Sequence, residues 1–177
     1  MATDPLPGNV VNDAALLLRQ WAQLQANVST SPIAAALSEH GQVWQGSCLG
    51  RSRRGIPQHC YANAYASAVR SSALLYAEGW ALNGELGFPL PIAHAWLIDT
   101  RTGNVIERTW NPNPAREHAY LGLVVPSRVL REAVRRAQGL TMEVLAGDWA
   151  RDGWVAEHGL GEIIAANQRP STPKAAF

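Results

Sequence analysis

The N-terminal third of the chain repeats its apolar positions with the period of an α-helix. Starting at Asn12, apolar side chains recur three or four positions apart and form one face of a predicted helix: Ala14, Leu17, Trp21 and Leu24. A second, shorter helix is predicted from Ser31 to His40, with Ser31 as its cap and Gly41 as its left-handed end. We expect these helices, within residues 12–40, to pack against a core.

The middle of the chain has the pattern of a sheet interrupted by one helix. Runs of aliphatic and aromatic residues between Gly- or Pro-bearing turns predict strands over 42–49, 77–82, 92–98, 104–110 and 119–125. The helix is predicted from Cys60 to about Ala77, and its many Ala and Ser residues would let it approach a sheet closely. Thr102-Gly103-Asn104 predicts a tight hairpin turn, since these residues accept positive φ.

The C-terminal part is predicted to be helical. A basic helix over 128–138 ends at Gly139, shorter segments follow at 141–150 and 154–166, and the polar tail 168–177 is expected to fray. One domain over 1–177 is therefore expected, with a core at about 42–125, N-terminal helices in 12–40 and C-terminal helices in 127–166. The predicted fold class is α+β, in which the helix that begins at Cys60 packs on a short antiparallel sheet flanked by further helices.

Composition and charge exclude some classes of partner. The 177 residues carry a net charge of +1 and are 47% hydrophobic, so no strong field is expected to attract nucleic acid or a membrane surface. No apolar run approaches the roughly 20 residues that span a bilayer, and Met1 to Gly8 lacks the layout of a signal peptide. These features favour a soluble, cytoplasmic protein whose two cysteines, Cys48 and Cys60, are free thiols.

Cys60 and His94 are the residues that suggest chemistry. A thiol attacks carbonyl carbon as the thiolate, which a helix N-terminus and an imidazole stabilise, and Cys60 opens a predicted helix. His94 lies on a predicted strand, and the hairpin would bring Glu107 within diagonal reach of its ring. Asp99 and Asn111 are alternative partners for this histidine. No cofactor is expected, and no metal site either, since structural zinc ligands normally come in pairs two to four residues apart.

The order of these residues resembles a known family. His94-Ala95-Trp96 on one strand, followed by Glu107-Arg108-Thr109 on the next, is similar to the transglutaminase-like core of papain-like cysteine enzymes, where His-Ala-Trp precedes Asp-Pro-Thr. The segment Cys60-Tyr61-Ala62-Asn63-Ala64 resembles bacterial and phage members of unassigned function. The resemblance covers about residues 57–125 and implies Cys60 as nucleophile, His94 as base and Glu107 in place of the aspartate.

Further residues are candidates for binding the oxyanion or the substrate. The amide of Cys60 and an upstream glutamine would donate to the oxyanion, and the sequence leaves the choice of glutamine open. The candidates are Gln42, Gln45, Gln58, Asn63 and Trp96, the last of which would wall the cleft. The spacing of Gln42 and Cys48 echoes the papain glutamine and nucleophile, but Cys48 precedes a loop without helical pattern, so Cys60 is favoured.

The sequence therefore predicts cysteine-dependent acyl chemistry on an amide or thioester bond, as a hydrolase, deamidase or transamidase. The substrate would be a protein, a peptide or a small acyl or amide compound. One alternative is a binding module with the same fold and no catalytic activity. A second is a nucleic-acid binder that uses the basic loop 51–54, which contains Arg51, Arg53 and Arg54.

Overall fold

The structure, a computed structural model, describes residues 10–46, 54–86, 88–111, 118–139, 143–145, 147–148 and 153–168. These residues form a mixed α/β fold with five α-helices and a five-stranded antiparallel sheet. In chain order the elements are α1 (Val10–Val28), α2 (Pro32–His40), β1 (Gln42–Gln45), α3 (Cys60–Ala68), β2 (Leu74–Leu82), β3 (Pro91–Asp99), β4 (Val105–Ile106), β5 (Ala119–Val125), α4 (Ser127–Arg136) and α5 (Leu160–Gln168). A π-helical turn, Val155–Gly159, leads directly into α5.

Strand β2 lies at the centre of the sheet, whose order is β1-β5-β2-β3-β4. It pairs along its whole length with β3, and Gly79 lies opposite His94 in that register. On its other side it pairs with β5, where Gly79 lies opposite Gly122. Gln42 of β1 faces Gly122 in turn, so one row of residues crosses four strands and ends at His94.

The two faces of the sheet are covered differently. On one face, helices α2 to α5 contribute to a large apolar cluster with side chains of the sheet, among them Leu37, Ala64, Ala68, Tyr76, Ala95, Leu97, Leu123, Val129 and Ile163. The small side chains of Ala64 and Ala68 let α3 lie close to β3, as the sequence predicted. The opposite face buries mainly aromatic side chains, with Trp44, Trp96, Trp110 and Tyr120 in one cluster.

The predicted helix from Cys60 to about Ala77 was wrong in its extent. The helix ends at Ala68 and a turn follows, in which the amide of Leu74 donates to the carbonyl oxygen of Ser71 at 3.2 Å. Strand β2 then begins at Leu74, because residues 74–76 pair with residues 97–99 of β3. Long-range pairing thus outweighs the helix propensity of this segment.

Two further expectations were wrong in detail. The predicted strand 104–110 is reduced to Val105–Ile106, because the chain turns at Glu107 and its carboxylate accepts backbone hydrogen bonds. Gly41 has φ −59°, so it does not end α2 in the left-handed region. Glycine is required here for a steric reason, because a Cβ at residue 41 would collide with the carbonyl oxygen of Leu37.

Other expectations were confirmed. Strand β5 has the predicted bounds, and the hairpin turns at Gly103 with φ 73°. The chain leaves α4 through Gly139 with φ 84°, whose amide donates to the carbonyl oxygen of Val134 at 2.9 Å. Five of the ten residues of the predicted segment 141–150, and all of the tail 168–177 except Gln168, lie outside the described residues. Among the described helices, none combines the length and apolar character needed to cross a bilayer.

Gly122 should be intolerant of any side chain. A Cβ at this position would lie 2.6 Å from a ring carbon of Trp96 and would also meet the backbone of Glu78, which cannot yield without opening the β2–β5 ladder. We expect Gly122→Ala to lower the free energy of unfolding by about 3 kcal/mol, measured by urea denaturation. The matched control is Gly161→Ala in α5, where a Cβ meets nothing within 4 Å and should raise stability by up to about 1 kcal/mol. Equal effects of the two substitutions would contradict this interpretation.

Candidate active site

Cys60 is the first residue of α3 and a buried free thiol, with 8% of its surface exposed. His59 precedes the helix without a side-chain hydrogen bond that caps it, so capping does not occupy the first amides of α3. These amides carry the positive end of the helix dipole next to the sulfur. Gln58 enters the turn with φ 64°, an unusual value for a non-glycine residue, and such strain is common beside functional groups.

His94 connects the thiol to a carboxylate. Its Nε2 lies 2.9 Å from Oε2 of Glu107, and Cys60 is near enough to the ring to raise the pKa of His94. Because Nε2 faces Glu107, Nδ1 is the nitrogen that can serve the sulfur. The ring is 2% exposed and stacks on the indole of Trp110, with centroids 3.8 Å apart and planes 11° apart. The imidazole is therefore fixed in both position and tilt.

Glu107 is completely buried and receives hydrogen bonds at both oxygens. Its Oε1 accepts from the backbone amides of Thr109 at 2.6 Å and Trp110 at 3.1 Å. Its Oε2 contacts Nε2 of His94 and accepts from the hydroxyl of Tyr120 at 3.2 Å. Backbone donors hold one oxygen in place, so the other stays directed at the imidazole.

Electrostatics favour an ionised pair of His94 and Glu107. Burial alone lowers the pKa of His94, but its interactions with Cys60 and with the hydrogen-bonded carboxylate of Glu107 raise it to about 9. Burial raises the pKa of Glu107, yet the hydrogen bond and charge of His94 and the two backbone amides bring it below the usual value. The site thus keeps an imidazolium and a carboxylate near neutral pH.

Asn63 joins the helix of Cys60 to the segment of Glu107. Its Nδ2 donates to the carbonyl oxygen of Ile56 at 2.7 Å and to Oγ1 of Thr109 at 3.0 Å, while its Oδ1 accepts from the amide of Ile56 at 3.0 Å. All of its described side-chain contacts are made to the protein itself. These contacts hold α3 beside Ile56 and Thr109, and a role of Asn63 in binding substrate or oxyanion stays a prediction.

The loop before Cys60 runs beside the same segment. The amide of Gly55 donates to the carbonyl oxygen of Arg108 at 2.7 Å, and the guanidinium of Arg54 donates to the carbonyl oxygen of Thr109 at 3.2 Å. A side chain at residue 55 would collide with Asn63. These contacts hold the start of α3 next to residues 107–109.

The candidate glutamines lie in different places. The side chain of Gln42 donates to the backbone oxygen of Asn167 at 3.2 Å, in a part of the fold where Asn167 also bonds with Val124. Gln45 ends β1 opposite Ala119 and is exposed. Gln58 is exposed and lies two residues before Cys60. Of the three, only Gln58 is next to the thiol in the chain.

Trp96 is 1% exposed and packs edge-on against Trp44, with centroids 5.7 Å apart. It also lies parallel to the ring of His94 at a centroid distance of 6.4 Å. Its indole N–H finds no partner among the described residues. Trp96 therefore belongs to the aromatic cluster behind the histidine, and the wall of a cleft remains only a prediction for it.

Glu107, and neither of the alternatives Asp99 and Asn111, lies against Nε2 of His94. Asp99 accepts the amides of Arg101 and Thr102 at 2.8 and 3.2 Å and so shapes the hairpin turn. The backbone oxygen of Asn111 lies 2.9 Å from Nε2 of His118, which is itself buried. Cys48, Arg51 and Arg53 lie outside the described residues. No group of three or more His, Cys, Asp or Glu in the part of the chain that the structure describes could hold a metal ion.

Sequence reasoning missed the roles of three neighbours, namely Thr109, Trp110 and Tyr120. Thr109 and Trp110 act through backbone amides, which every residue has, so no side-chain pattern marks them. Tyr120 lies on β5, and its hydroxyl contacts Glu107 on the same face of the sheet. In the sequence, the alternation of Tyr120 and Gly122 along the strand was the only signal for the direction of this side chain.

The chain was compared with protein-family models, with curated proteins and with solved structures, and none of the three comparisons found a match. The geometry of the site is therefore the main guide to function.

The buried pair should make stability depend on pH. His94 has a folded pKa of about 9 against about 6.5 when unfolded, so its contribution is complete below pH 6.5 and is lost as the pH rises through 9. We expect the difference in unfolding free energy between the native protein and His94→Gln to shrink by about 3 kcal/mol over that range. Chemical denaturation at a series of pH values measures it. A difference that stays constant up to pH 9 would contradict the raised pKa.

Asn63→Ala should loosen the link between α3 and residue 109. The substitution removes hydrogen bonds to Ile56 and Thr109, and at about 1 kcal/mol each it should cost about 2–3 kcal/mol in urea denaturation. Ser67→Ala is the matched control in the same helix, because it removes one bond from Oγ to the backbone oxygen of Asn63 and should cost less than about 1 kcal/mol. Similar costs for the two variants would count against the positioning role.

Proposed function

We propose that this protein performs acyl chemistry through a cysteine nucleophile, as a hydrolase, deamidase or transamidase of the transglutaminase-like or papain-like type. The observation that carries the proposal is the imidazole of His94, whose Nε2 lies 2.9 Å from the buried carboxylate of Glu107, while Cys60 is near enough to raise the pKa of the ring. The order of the three residues and the His94-Ala95-Trp96 motif support it. The substrate is a protein, a peptide or a small acyl or amide compound, and the setting is the cytoplasm.

In the reacting form, the proton of the Cys60 thiol is already held by His94, so that a thiolate lies beside an imidazolium. The thiolate attacks the carbonyl carbon of the amide or thioester, and the carbonyl electron pair moves onto oxygen. The amide N–H of Cys60, at the positive end of α3, is the donor for this oxyanion. When the carbonyl re-forms, the bond to the leaving amine or thiol breaks, and the imidazolium of His94 supplies its proton.

The acyl group is then released to a second nucleophile. Water or an amine gives a proton to His94 and attacks the thioester, and Cys60 departs as the thiolate. Glu107 remains a carboxylate throughout, since its lowered pKa opposes protonation. Its role is to stabilise the imidazolium and to hold the ring in the orientation that presents Nδ1 to sulfur.

The anchoring of Glu107 favours an enzyme over an inactive binding module. The module hypothesis rested on a glutamate replacing the aspartate, since a longer side chain could orient the imidazole less tightly. Two backbone amides and the hydroxyl of Tyr120 remove most of that freedom. The buried ionised pair costs desolvation energy, and a catalytic role would account for that cost.

The nucleic-acid alternative gains no support from the described residues. Arg54, the described arginine of the basic loop, directs its guanidinium at the carbonyl oxygen of Thr109. Its role there is to support the segment of Glu107.

Alkylation of Cys60 tests the proposal. At about pH 6 an ordinary thiol, with a pKa of about 8.5, is almost entirely protonated and reacts slowly with iodoacetamide. We expect Cys60 to be labelled at least about tenfold faster than Cys48 in the same molecule, and His94→Ala to remove most of that difference. Peptide mass spectrometry over a time course measures both rates.

The control variant is Ser67→Ala, which lies on α3 outside the three side chains and should leave the labelling rate of Cys60 unchanged. Circular dichroism of His94→Ala establishes that the variant is folded before its rate is interpreted. Equal rates for Cys60 and Cys48, or a Cys60 rate independent of His94, would overturn the proposal.

A further inference from the structure

His118 is bonded to three separate parts of the chain. It immediately precedes β5 and is 1% exposed. Its backbone oxygen accepts from the amide of Gly46 at 2.9 Å, and its Nδ1 accepts from the amide of Gly84 at 3.1 Å. Its Nε2 lies 2.9 Å from the backbone oxygen of Asn111. The imidazole of His118 therefore joins the segment after β2 to the segment after β4.

These contacts fix the protonation state of His118. A carbonyl oxygen only accepts, so Nε2 carries the proton that it donates to Asn111. A backbone amide only donates, so Nδ1 keeps its lone pair for Gly84. His118 is thus the neutral tautomer with its proton on Nε2, and both ring nitrogens are bonded within the protein.

Trp110 lies between two residues that are held from different sides. Thr109 is held from α3, because Nδ2 of Asn63 donates to its Oγ1 at 3.0 Å. Asn111 is held by Nε2 of His118. Strand β4 has already ended at this point, so these side-chain contacts take the place of strand pairing. The path of the chain through residue 110 is therefore set from both ends.

The position of Trp110 determines how its indole meets the imidazole of His94. The two rings are stacked, with centroids 3.8 Å apart and planes 11° apart. The face of an indole carries negative charge, which stabilises a cation that lies on it. The amide of Trp110 also donates to Oε1 of Glu107 at 3.1 Å. A displacement of residue 110 would therefore loosen the stack on His94 and one hydrogen bond to its carboxylate partner.

We propose that His118 is a positioning residue for the proposed reaction: its bond to residue 111 holds Trp110 against His94 and so keeps the imidazolium in place for the thiolate of Cys60. This role rests on the proposed function, because it concerns the same site. His118 acts through Trp110, and its proton on Nε2 is the one that the role requires.

Two variants separate the hydrogen bond from the ring. Glutamine carries its terminal amide near the position of Nε2 in histidine, so His118→Gln keeps a donor for Asn111. Asparagine is shorter and carries its oxygen near the position of Nδ1, so His118→Asn keeps an acceptor for Gly84 and loses the donor. Both variants remove the imidazole, so the difference between them reports on the bond to Asn111.

The measured quantity is the ratio of the rates at which iodoacetamide alkylates Cys60 at about pH 6 and at about pH 9. At the higher pH an ordinary thiol, with a pKa of about 8.5, is mostly thiolate, so the rate reports on access to the sulfur. At the lower pH the rate depends on a neighbouring imidazolium. We expect the ratio to fall about fivefold in His118→Asn and to stay within about twofold of the native ratio in His118→Gln. A change in access alone would alter both rates together and leave the ratio unchanged.

Trp110→Leu tests the route by which His118 acts. It removes the stack directly and should lower the ratio as much as His118→Asn does. The double variant should show no further fall, because both substitutions act through one contact. If His118→Asn does not fold, the other two single variants decide the question, since His118→Gln must keep the ratio and Trp110→Leu must lower it.

Asp99→Ala is the control for a loss of hydrogen bonds outside the site. It removes the bonds to the amides of Arg101 and Thr102 in the hairpin turn, at the end of β3 remote from His94, and should leave the ratio unchanged. Circular dichroism at both pH values establishes that each variant is folded before its rates are compared.

The outcomes distinguish the role of His118 from the proposed function. If Cys60 of the native protein reacts no faster than Cys48 at about pH 6, the proposed function fails, and the role of His118 fails with it. If Cys60 is activated but His118→Asn keeps the native ratio, His118 does not position the site and the proposed function stands. The same conclusion holds if His118→Gln loses as much as His118→Asn, or if Trp110→Leu has no effect.

Discussion

The hydrogen bond between His94 and Glu107 is the constraint around which this fold is arranged. Both side chains are almost fully buried, at 2% and 0% exposure, and both are favoured in the charged form. Two ions removed from water lose several kcal/mol of hydration each, so the pair is tolerable only when the remaining lone pairs are satisfied. The amides of Thr109 and Trp110 and the hydroxyl of Tyr120 meet this need.

The architecture around the pair follows from that need. A carboxylate that accepts backbone amides requires an irregular segment at its own position, which explains why β4 stops at Ile106. After Ile106 the chain is no longer held by pairing with β3. Contacts from Asn63, Arg54 and Gly55, on the side of α3, hold residues 108 and 109 instead. The same contacts place the start of α3 beside the imidazole. The same set of contacts therefore positions both the carboxylate of Glu107 and the thiol of Cys60.

The sequence predicted local features well because they depend on local chemistry. The hairpin at Gly103 and the strand Ala119–Val125 came from turn residues and alternation. The end of α3 could not be predicted, since residues 70–77 favour helix locally and become a strand only through pairing with β3. The order β1-β5-β2-β3-β4 places the first strand beside the last, and no local pattern encodes such a distant pairing.

The residues of the candidate site also separate into those that the sequence predicts and those that it does not. Side-chain type and spacing identify Cys60, His94 and Glu107, because their chemistry is rare and their order is informative. The supporting contacts escape prediction, because Thr109 and Trp110 contribute main-chain amides and Asn63 is ambiguous in type. An asparagine near a nucleophile can bind substrate or hold neighbouring segments together, and its contacts with Ile56 and Thr109 become visible only in the fold.

The use of glutamate at position 107 follows from the strand register. Ile106 pairs with Leu97 and Val105 with Ile98, so a continued ladder would set residue 107 opposite Trp96 and residue 109 opposite His94. The acid therefore lies one diagonal step from the imidazole that it contacts. The additional methylene of glutamate lets its carboxylate reach along that diagonal, and Oε2 lies 2.9 Å from Nε2 of His94. An aspartate at position 107 would have to draw the chain closer to β3, against the turn that supplies the two amides. The use of glutamate instead of aspartate at position 107 and the end of β4 at Ile106 thus both follow from the register of β3 and β4.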